Sequence, residues 1–136
     1  MKYFSYSILC VAVIIFLLSV FALISKGKVV DTIVFPAKLN VSSTTVGFDI
    51  NITALTFGKV NQGGSATRNV IFYNDYNSPV KLNIQSEGTI SPLLTYEKEV
   101  FAEINESIKI PFKVDVQQST PQGMYYGNVT FTIISS

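Results

Sequence analysis

The chain contains no histidine and no tryptophan among its 136 residues, and it has a single cysteine and a single arginine. Without histidine it lacks the side chain that most often serves as a general base or a metal ligand near neutral pH. The cysteine, Cys10, lies inside an apolar stretch, so neither a thiol nucleophile nor a disulfide is expected in the rest of the chain. We therefore expect no catalytic residue, no metal site and no bound cofactor.

Charged residues are also few, with 10 Lys and Arg against 9 Asp and Glu and a net charge of +1. Nucleic-acid binding needs a clustered basic surface, and Arg68 has no basic cluster around it in the sequence. The acidic residues Glu97, Glu99 and Glu103 do not have the spacing of a calcium-binding loop. They are typical of a hydrated surface, and no nucleic-acid partner is expected.

One long apolar segment dominates the beginning of the chain. After a short tail (residues 1–3), residues 4–25 carry no charge and are long enough for a helix that crosses the hydrocarbon core of a membrane. The alternative is a cleaved signal peptide with a small-residue site at Val20-Phe21-Ala22. That site lies within the apolar run rather than after it, so the length favours a transmembrane anchor.

The flanking charges do not decide the orientation of this anchor, because Lys2 on one side is balanced by Lys26 and Lys28 on the other. A short basic tail before a long apolar run is the arrangement of an export signal. Four sequons that could accept a glycan also favour an external domain. Their asparagines are Asn40, Asn51, Asn105 and Asn128. The expected location is the cell membrane, single-pass, with the remaining domain extracytoplasmic, or secreted if the helix is cleaved.

From residue 26 onward the pattern is that of β-strands. Residues 26–44 are expected to form a linker and a first strand, and residues 45–136 a single β-domain. Apolar residues alternate with polar ones in several short runs separated by Gly, Asn and Pro turn signals. These runs include Val46–Ile52, Val80–Ile84, Ile108–Val116 and Tyr125–Ile133. The prediction is an all-β antiparallel sandwich of two packed sheets preceded by one transmembrane helix.

The pattern resembles a known superfamily. Phe57-Gly58-x-Val60, Gly64-Ser65, Val70-x-Phe72-x-Asn74 and Pro79-Val80-x-Leu82 are similar to immunoglobulin-like domains of pilus chaperones and major sperm proteins. The stretch Pro121-x-Gly123-x-Tyr125-x-Gly127-x-Val129 resembles immunoglobulin-like modules of prokaryotic surface proteins. The resemblance implies an immunoglobulin-like fold, with Tyr125 at a sheet corner where its hydroxyl bonds the backbone. The paired basic residues of pilus chaperones are missing.

Two features of the sequence are candidate interaction sites. Tyr76 lies in a loop of turn-forming residues, and tyrosine is favoured in protein interfaces. The β-branched segment 29–35, with Val30, Ile33 and Phe35, lies between the apolar segment and the β-domain. This segment is expected to be the first strand of its own domain. A sharper hypothesis is that it is donated to a neighbouring copy, because exposed strand edges pair readily.

These observations favour a non-enzymatic, membrane-anchored module that contacts an envelope, surface-layer or filament protein, and that could also form a homo-oligomer. Two alternatives stay open. The chain could be a secreted structural or filament subunit that assembles by β-strand exchange after signal-peptide cleavage. It could also be an accessory subunit of a membrane complex such as an archaeal filament motor.

Overall fold

The computed structural model describes residues 11–20, 27–43 and 54–135. Residues 11–20 form a helix, α1, whose apolar side chains from Val11 to Leu18 are exposed. Within the described ranges, no helix is both long enough and apolar enough to cross a membrane. The other parts of the predicted span, 4–10 and 21–25, lie outside the described residues.

The rest of the described chain is almost entirely β-structure. The strands are β1 (Lys28–Ser42), β2 (Leu55–Asn61), β3 (Ser65–Tyr73), β4 (Val80–Gly88), β5 (Leu94–Thr95), β6 (Glu99–Ala102), β7 (Ser107–Asp115) and β8 (Gly123–Ser135). A single 3₁₀ turn at Ser91–Leu93 separates β4 from β5. The fold is thus mainly β, as the alternating pattern predicts.

The strands form two sheets. A five-stranded sheet has the order β2-β1-β8-β4-β6, and a three-stranded sheet has the order β3-β7-β5. The prediction of purely antiparallel pairing is wrong at one place, because β1 and β2 run parallel. Parallel neighbours cannot be joined by a tight hairpin, so the chain must cross from the end of β1 back to the start of β2.

Both sheets contribute one apolar face to a common core. Val80, Leu82 and Ile84 of β4 are buried, as their alternation predicts. Across the core, Phe112 of β7 and Phe131 of β8 meet edge to face with ring centroids 5.9 Å apart. Burial of these side chains is the main favourable contribution to the stability of the fold.

Local backbone features fix how the strands end and bend. The pairing of β1 with β2 shifts register between Lys38 and Asn40. On β2 the shift falls at Gly58, whose φ of 71° lies in the left-handed region. The Tyr125 hydroxyl donates a hydrogen bond of 2.8 Å to the Pro121 carbonyl. This is the backbone hydrogen bond expected for Tyr125 at a sheet corner.

Candidate interaction surface

The first half of β1 has a strand neighbour on one side only. β8 pairs with β1 from Lys28 to Val41, whereas β2 pairs with β1 only from Ala37 to Ser42. On the side away from β8, no described strand pairs with residues 28–36, which we call the open edge. Backbone groups along such an edge can pair with an added strand.

A cleft of about 300 Å³ lies between the open edge and β3. On the β1 side it is lined by Ile33 and Phe35, which are half-buried. Opposite them lie Val70 and Phe72 of β3, also half-buried. Because the two sheets belong to different layers, the cleft is an opening into the apolar interior between them.

The base of the cleft is aromatic and aliphatic. Phe131 and Ile133 of the central strand β8 line it and are buried. The Phe35 and Phe131 rings meet edge to face, with centroids 5.4 Å apart and an interplanar angle of 78°. An apolar cleft beside unpaired backbone provides both the burial and the hydrogen bonding that bind an extended segment.

Polar groups form one rim of the cleft. The Tyr76 hydroxyl donates to Asp31 Oδ2 over 3.4 Å, which joins the loop after β3 to the open edge. Partial burial of the phenol raises the pKa of Tyr76, and the carboxylates of Asp31 and Asp75 raise it further. Tyr76 therefore remains a neutral hydrogen-bonding group at physiological pH.

A buried asparagine holds the Tyr76 loop in place. Asn74 is fully buried, and its Nδ2 donates to the carbonyl oxygens of Ser78 (3.1 Å), Ala102 (3.1 Å) and Glu103 (2.9 Å). Its Oδ1 accepts the backbone N–H of Tyr76 at 3.0 Å. The sequence placed Asn74 at the end of the motif Val70-x-Phe72-x-Asn74 and in a loop of turn-forming residues, and neither assignment predicts its buried hydrogen bonds. The tendency of asparagine to accept the backbone N–H of residue i+2 in an Asx turn is the signal that could have indicated the bond to Tyr76.

Three of the four residues that the sequence predicted for interaction line this cleft: Ile33, Phe35 and Tyr76. Val30 lies elsewhere on β1, at a register shift between Val29 and Asp31, and its side chain is exposed. Sequence reasoning missed Val70 and Phe72 as members of the surface, because their alternation indicates only an inward face. The strand that lies opposite Val70 and Phe72 is set by the strand order of the two sheets, which the alternation does not reveal.

The predicted glycan acceptors differ in accessibility. Asn105 is exposed in a turn at a φ of 60°, and its Oδ1 accepts a hydrogen bond of 3.3 Å from the Tyr73 hydroxyl. Asn40 lies within β1 and is half-buried. Asn128 lies within β8, is half-buried and donates to Glu87 Oε1 at 3.1 Å. Asn51 lies outside the described residues.

The acidic residues of the later strands do not converge. Glu99 pairs with Lys81 at 3.2 Å, and both side chains are solvent-accessible. Across residues 11–20, 27–43 and 54–135, no group of three or more His, Cys, Asp or Glu side chains is arranged to hold a metal ion. The open edge and its cleft form the candidate interaction surface.

No family model matches the chain, and comparisons with curated proteins and with solved structures give no match.

Proposed function

We propose that this chain is a non-enzymatic, membrane-anchored module with an immunoglobulin-like fold that binds another envelope protein on the extracytoplasmic side. The observation that carries the proposal is the open edge of β1 beside the apolar cleft. An added strand there gains backbone hydrogen bonds from residues 28–36 and buries its side chains against Ile33 and Phe35. A surface-layer or filament protein with an extended segment fits this chemistry.

The exposed apolar helix α1 supports the membrane-anchored part of the proposal. Ile15, Phe16 and Leu17 are each at least 60% exposed. A helix that is apolar on every side is unfavourable in water and favourable in a lipid environment. The Tyr125 hydrogen bond supports the immunoglobulin-like part.

Binding at the cleft can be tested by capture from detergent-solubilised membranes of the source cells. Full-length chain is compared with Ile33→Arg, which places a charge in the cleft, and with Phe101→Arg as the matched control. Phe101 is 65% exposed on β6 and does not line the cleft. We expect one envelope protein, identified by mass spectrometry, to be retained by the wild type and by Phe101→Arg and lost with Ile33→Arg. Equal capture by all three chains contradicts the proposal.

The sidedness is tested separately by treating intact cells with protease. Digestion of the β-domain in intact cells agrees with the proposal, whereas digestion only after the membrane is opened places the domain inside and overturns it. Intact mass measurement of the membrane-bound chain reports whether residues 4–25 are retained.

A further inference from the structure

The inward side chains of β1 change in character along the open edge. Asp31, Ile33 and Phe35 occupy alternate positions, and the β8 residues opposite them are all buried. Opposed residues of a ladder face the same side of the sheet, so these three side chains belong to the inward face of β1. Exposure along this face increases from the buried Ala37, through the half-buried Phe35 and Ile33, to the exposed Asp31. The cleft is therefore apolar and closed near Ala37, and acidic and open near Asp31.

Two carboxylates lie at the open end of the cleft. Asp31 and Asp75 both line it, and the described residues that line it include no lysine or arginine. Burial raises the pKa of Tyr76 and both carboxylates raise it further, which places both charges near the phenol. Within the described part of the chain, neither Asp31 nor Asp75 forms an ion pair with a lysine or arginine. The open end of the cleft thus carries negative charge that no described cation of the chain neutralises.

Hydrogen bonds fix the direction of the Asp31 carboxylate. Its Oδ1 accepts the backbone N–H of Thr32 at 2.7 Å, and its Oδ2 accepts the Tyr76 hydroxyl at 3.4 Å. A carboxylate oxygen has two lone pairs, so each oxygen can accept one further hydrogen bond. Asp31 is therefore held at the cleft with acceptor capacity left for a cationic donor from outside.

The space beside the open edge has the place of a strand. From Ala37 onward β2 lies beside β1, and Arg68 of β3 donates from Nε to the Thr56 carbonyl of β2 over 2.9 Å. Beside residues 28–36 no described strand lies between β1 and β3, and the cleft is found there instead. A strand added in line with β2 would pair with β1 and direct every second side chain into the cleft.

The inward face of β1 then sets the chemistry of that added strand. Neighbouring strands lie about 4.8 Å apart, so side chains on the same face of adjacent strands make contact. Side chains beside Phe35 and Ile33 enter the apolar part of the cleft, where Val70 and Phe72 lie across from them. The next side chain on that face, two residues further along, lies beside Asp31. An aliphatic residue suits each of the first two places, and a lysine or arginine suits the third.

We propose that the open edge binds an extended segment of another protein in which two aliphatic residues and then one basic residue occupy every second position, with the basic residue beside Asp31. The proposal rests on the proposed function, because it names the segment by which the envelope protein is recognised. All described strands are already paired within the two sheets, so a second copy could supply such a segment only by giving up a strand of its own. The bound segment therefore belongs to a different protein.

The test measures the binding of short fluorescent peptides to the full-length chain in detergent by fluorescence anisotropy. The probe is Thr-Val-Thr-Val-Thr-Lys-Thr with blocked termini, and the same residues in reverse order cover the opposite strand direction. In the matched control for each peptide, the lysine exchanges places with the adjacent threonine nearer the valines. The composition is then unchanged, but the lysine lies on the face that points away from the cleft.

We expect one of the two lysine peptides to bind the wild type about three- to fivefold more tightly than its control at low salt. The preference should become smaller at high salt, because the Asp31 carboxylate is exposed and its attraction for the lysine is screened. Ile33→Arg should abolish the binding of every peptide, because it places a charged side chain in the apolar part of the cleft.

Asp31→Asn tests the charge itself. The amide keeps the size of the side chain and an oxygen that can accept a hydrogen bond, but it removes the negative charge. The preference for the lysine peptide over its control should therefore be largely lost. Asp115→Asn makes the same chemical change on β7, where Asp115 is exposed and does not line the cleft, and it should leave the preference unchanged.

Equal affinity of the lysine peptides and their controls overturns the proposal, as does a preference that survives Asp31→Asn or the absence of binding by any peptide. The capture experiment with Ile33→Arg and Phe101→Arg decides the proposed function separately, because it uses the partner present in the membranes. If an envelope protein is still captured through the cleft, the proposed function stands and only the recognised residue pattern is wrong. If the wild type captures nothing, the proposed function fails as well.

Discussion

The Tyr76 hydroxyl lies 3.4 Å from Asp31 Oδ2 and connects the loop that follows β3 to the open edge of β1. The two residues are 45 positions apart in the chain. Asp31 belongs to the five-stranded sheet, and Tyr76 lies in the loop that joins β3 of the three-stranded sheet to β4 of the five-stranded sheet. Their contact forms one rim of the cleft. The same hydrogen bond therefore contributes to the fold and helps to shape the proposed binding surface.

The raised pKa of Tyr76 predicts a specific alkaline effect. Partial burial and the nearby carboxylates of Asp31 and Asp75 raise the pKa of Tyr76 above the ordinary value of about 10. Between the two pKa values the unfolded chain has lost this proton while the folded chain keeps it. The stabilising contribution is therefore complete below about pH 10 and is lost as pH rises through the folded pKa.

Tyr76→Phe should remove this part of the alkaline loss of stability. The measurement is urea unfolding of the membrane-extracted chain between about pH 8 and pH 11. The control is Tyr126→Phe, because Tyr126 is a 55% exposed tyrosine on β8. Identical pH slopes for both variants would show that the Asp31 contact does not hold the phenol in its neutral form.

A matched pair of substitutions on β1 tests its contribution to the core. Leu39 is 1% exposed and Val34 is 53% exposed, so the two side chains lie on opposite faces of the same strand. We expect Leu39→Ala to lower the free energy of unfolding by about 2–5 kcal/mol, because it removes buried methyl groups and leaves a cavity. Val34→Ala should change it by less than about 0.5 kcal/mol.

Chemical denaturation monitored by tyrosine fluorescence measures both effects. If both alanine variants lose little, β1 is not packed between β2 and β8. If Val34→Ala is the more harmful of the two, the inward face of β1 has been assigned to the wrong set of residues.

The sequence alone predicted which residues face inward on most strands but not how the strands are arranged. Alternation places Ile110, Phe112 and Val114 inside because every second residue of a strand points to the same face, and all three are buried. Nothing local in β1 indicates that its partner is β8, about a hundred residues later in the chain. That pairing depends on the strand order of the whole sheet, β2-β1-β8-β4-β6, which local alternation does not reveal.

Three residues of the candidate surface were predictable because the patterns that indicate them are local in the sequence. Ile33, Phe35 and Tyr76 were identified from a β-branched run and an exposed-loop tyrosine, both of which are local signals. The cleft that joins them depends on β2 being shorter than β1, so that residues 28–36 keep one open side among the described strands. The parallel β1–β2 pair was missed because a crossover connection has no signature in the alternating pattern.

Asn74 should be one of the least replaceable residues of the described domain. Its amide satisfies three backbone carbonyls, and its Oδ1 accepts the N–H of Tyr76. Asn74→Asp keeps the size but removes the donors and places a carboxylate against the oxygens of Ser78, Ala102 and Glu103. We expect a loss of about 3 kcal/mol or more at neutral pH, because each unsatisfied buried group costs about 1–3 kcal/mol.

Asn77→Asp makes the same chemical change at an exposed position of the same loop, and it should be nearly neutral. The loss caused by Asn74→Asp should become smaller as the pH falls, because protonation removes the charge and restores one donor. Thermal unfolding at several pH values measures this. A loss that does not depend on pH would mean that the carboxylate has moved out to solvent.

The sequons of Asn105 and Asn128 give a prediction about modification that does not substitute either asparagine. Ser107→Ala removes the Asn105 sequon and leaves Asn105 in its left-handed turn conformation, whereas Thr130→Ala removes the Asn128 sequon. We expect Ser107→Ala to lower the intact mass of the chain, purified from its native membrane, by one glycan, because Asn105 is exposed in a turn where a transferase can reach it. Thr130→Ala should lower the mass only by the side-chain difference, because Asn128 lies within a paired strand and its amide donates to Glu87. A glycan on Asn128 would require β8 to be modified before it pairs with β1 and β4. The absence of a glycan at both sites would remove these two sequons as support for an external domain.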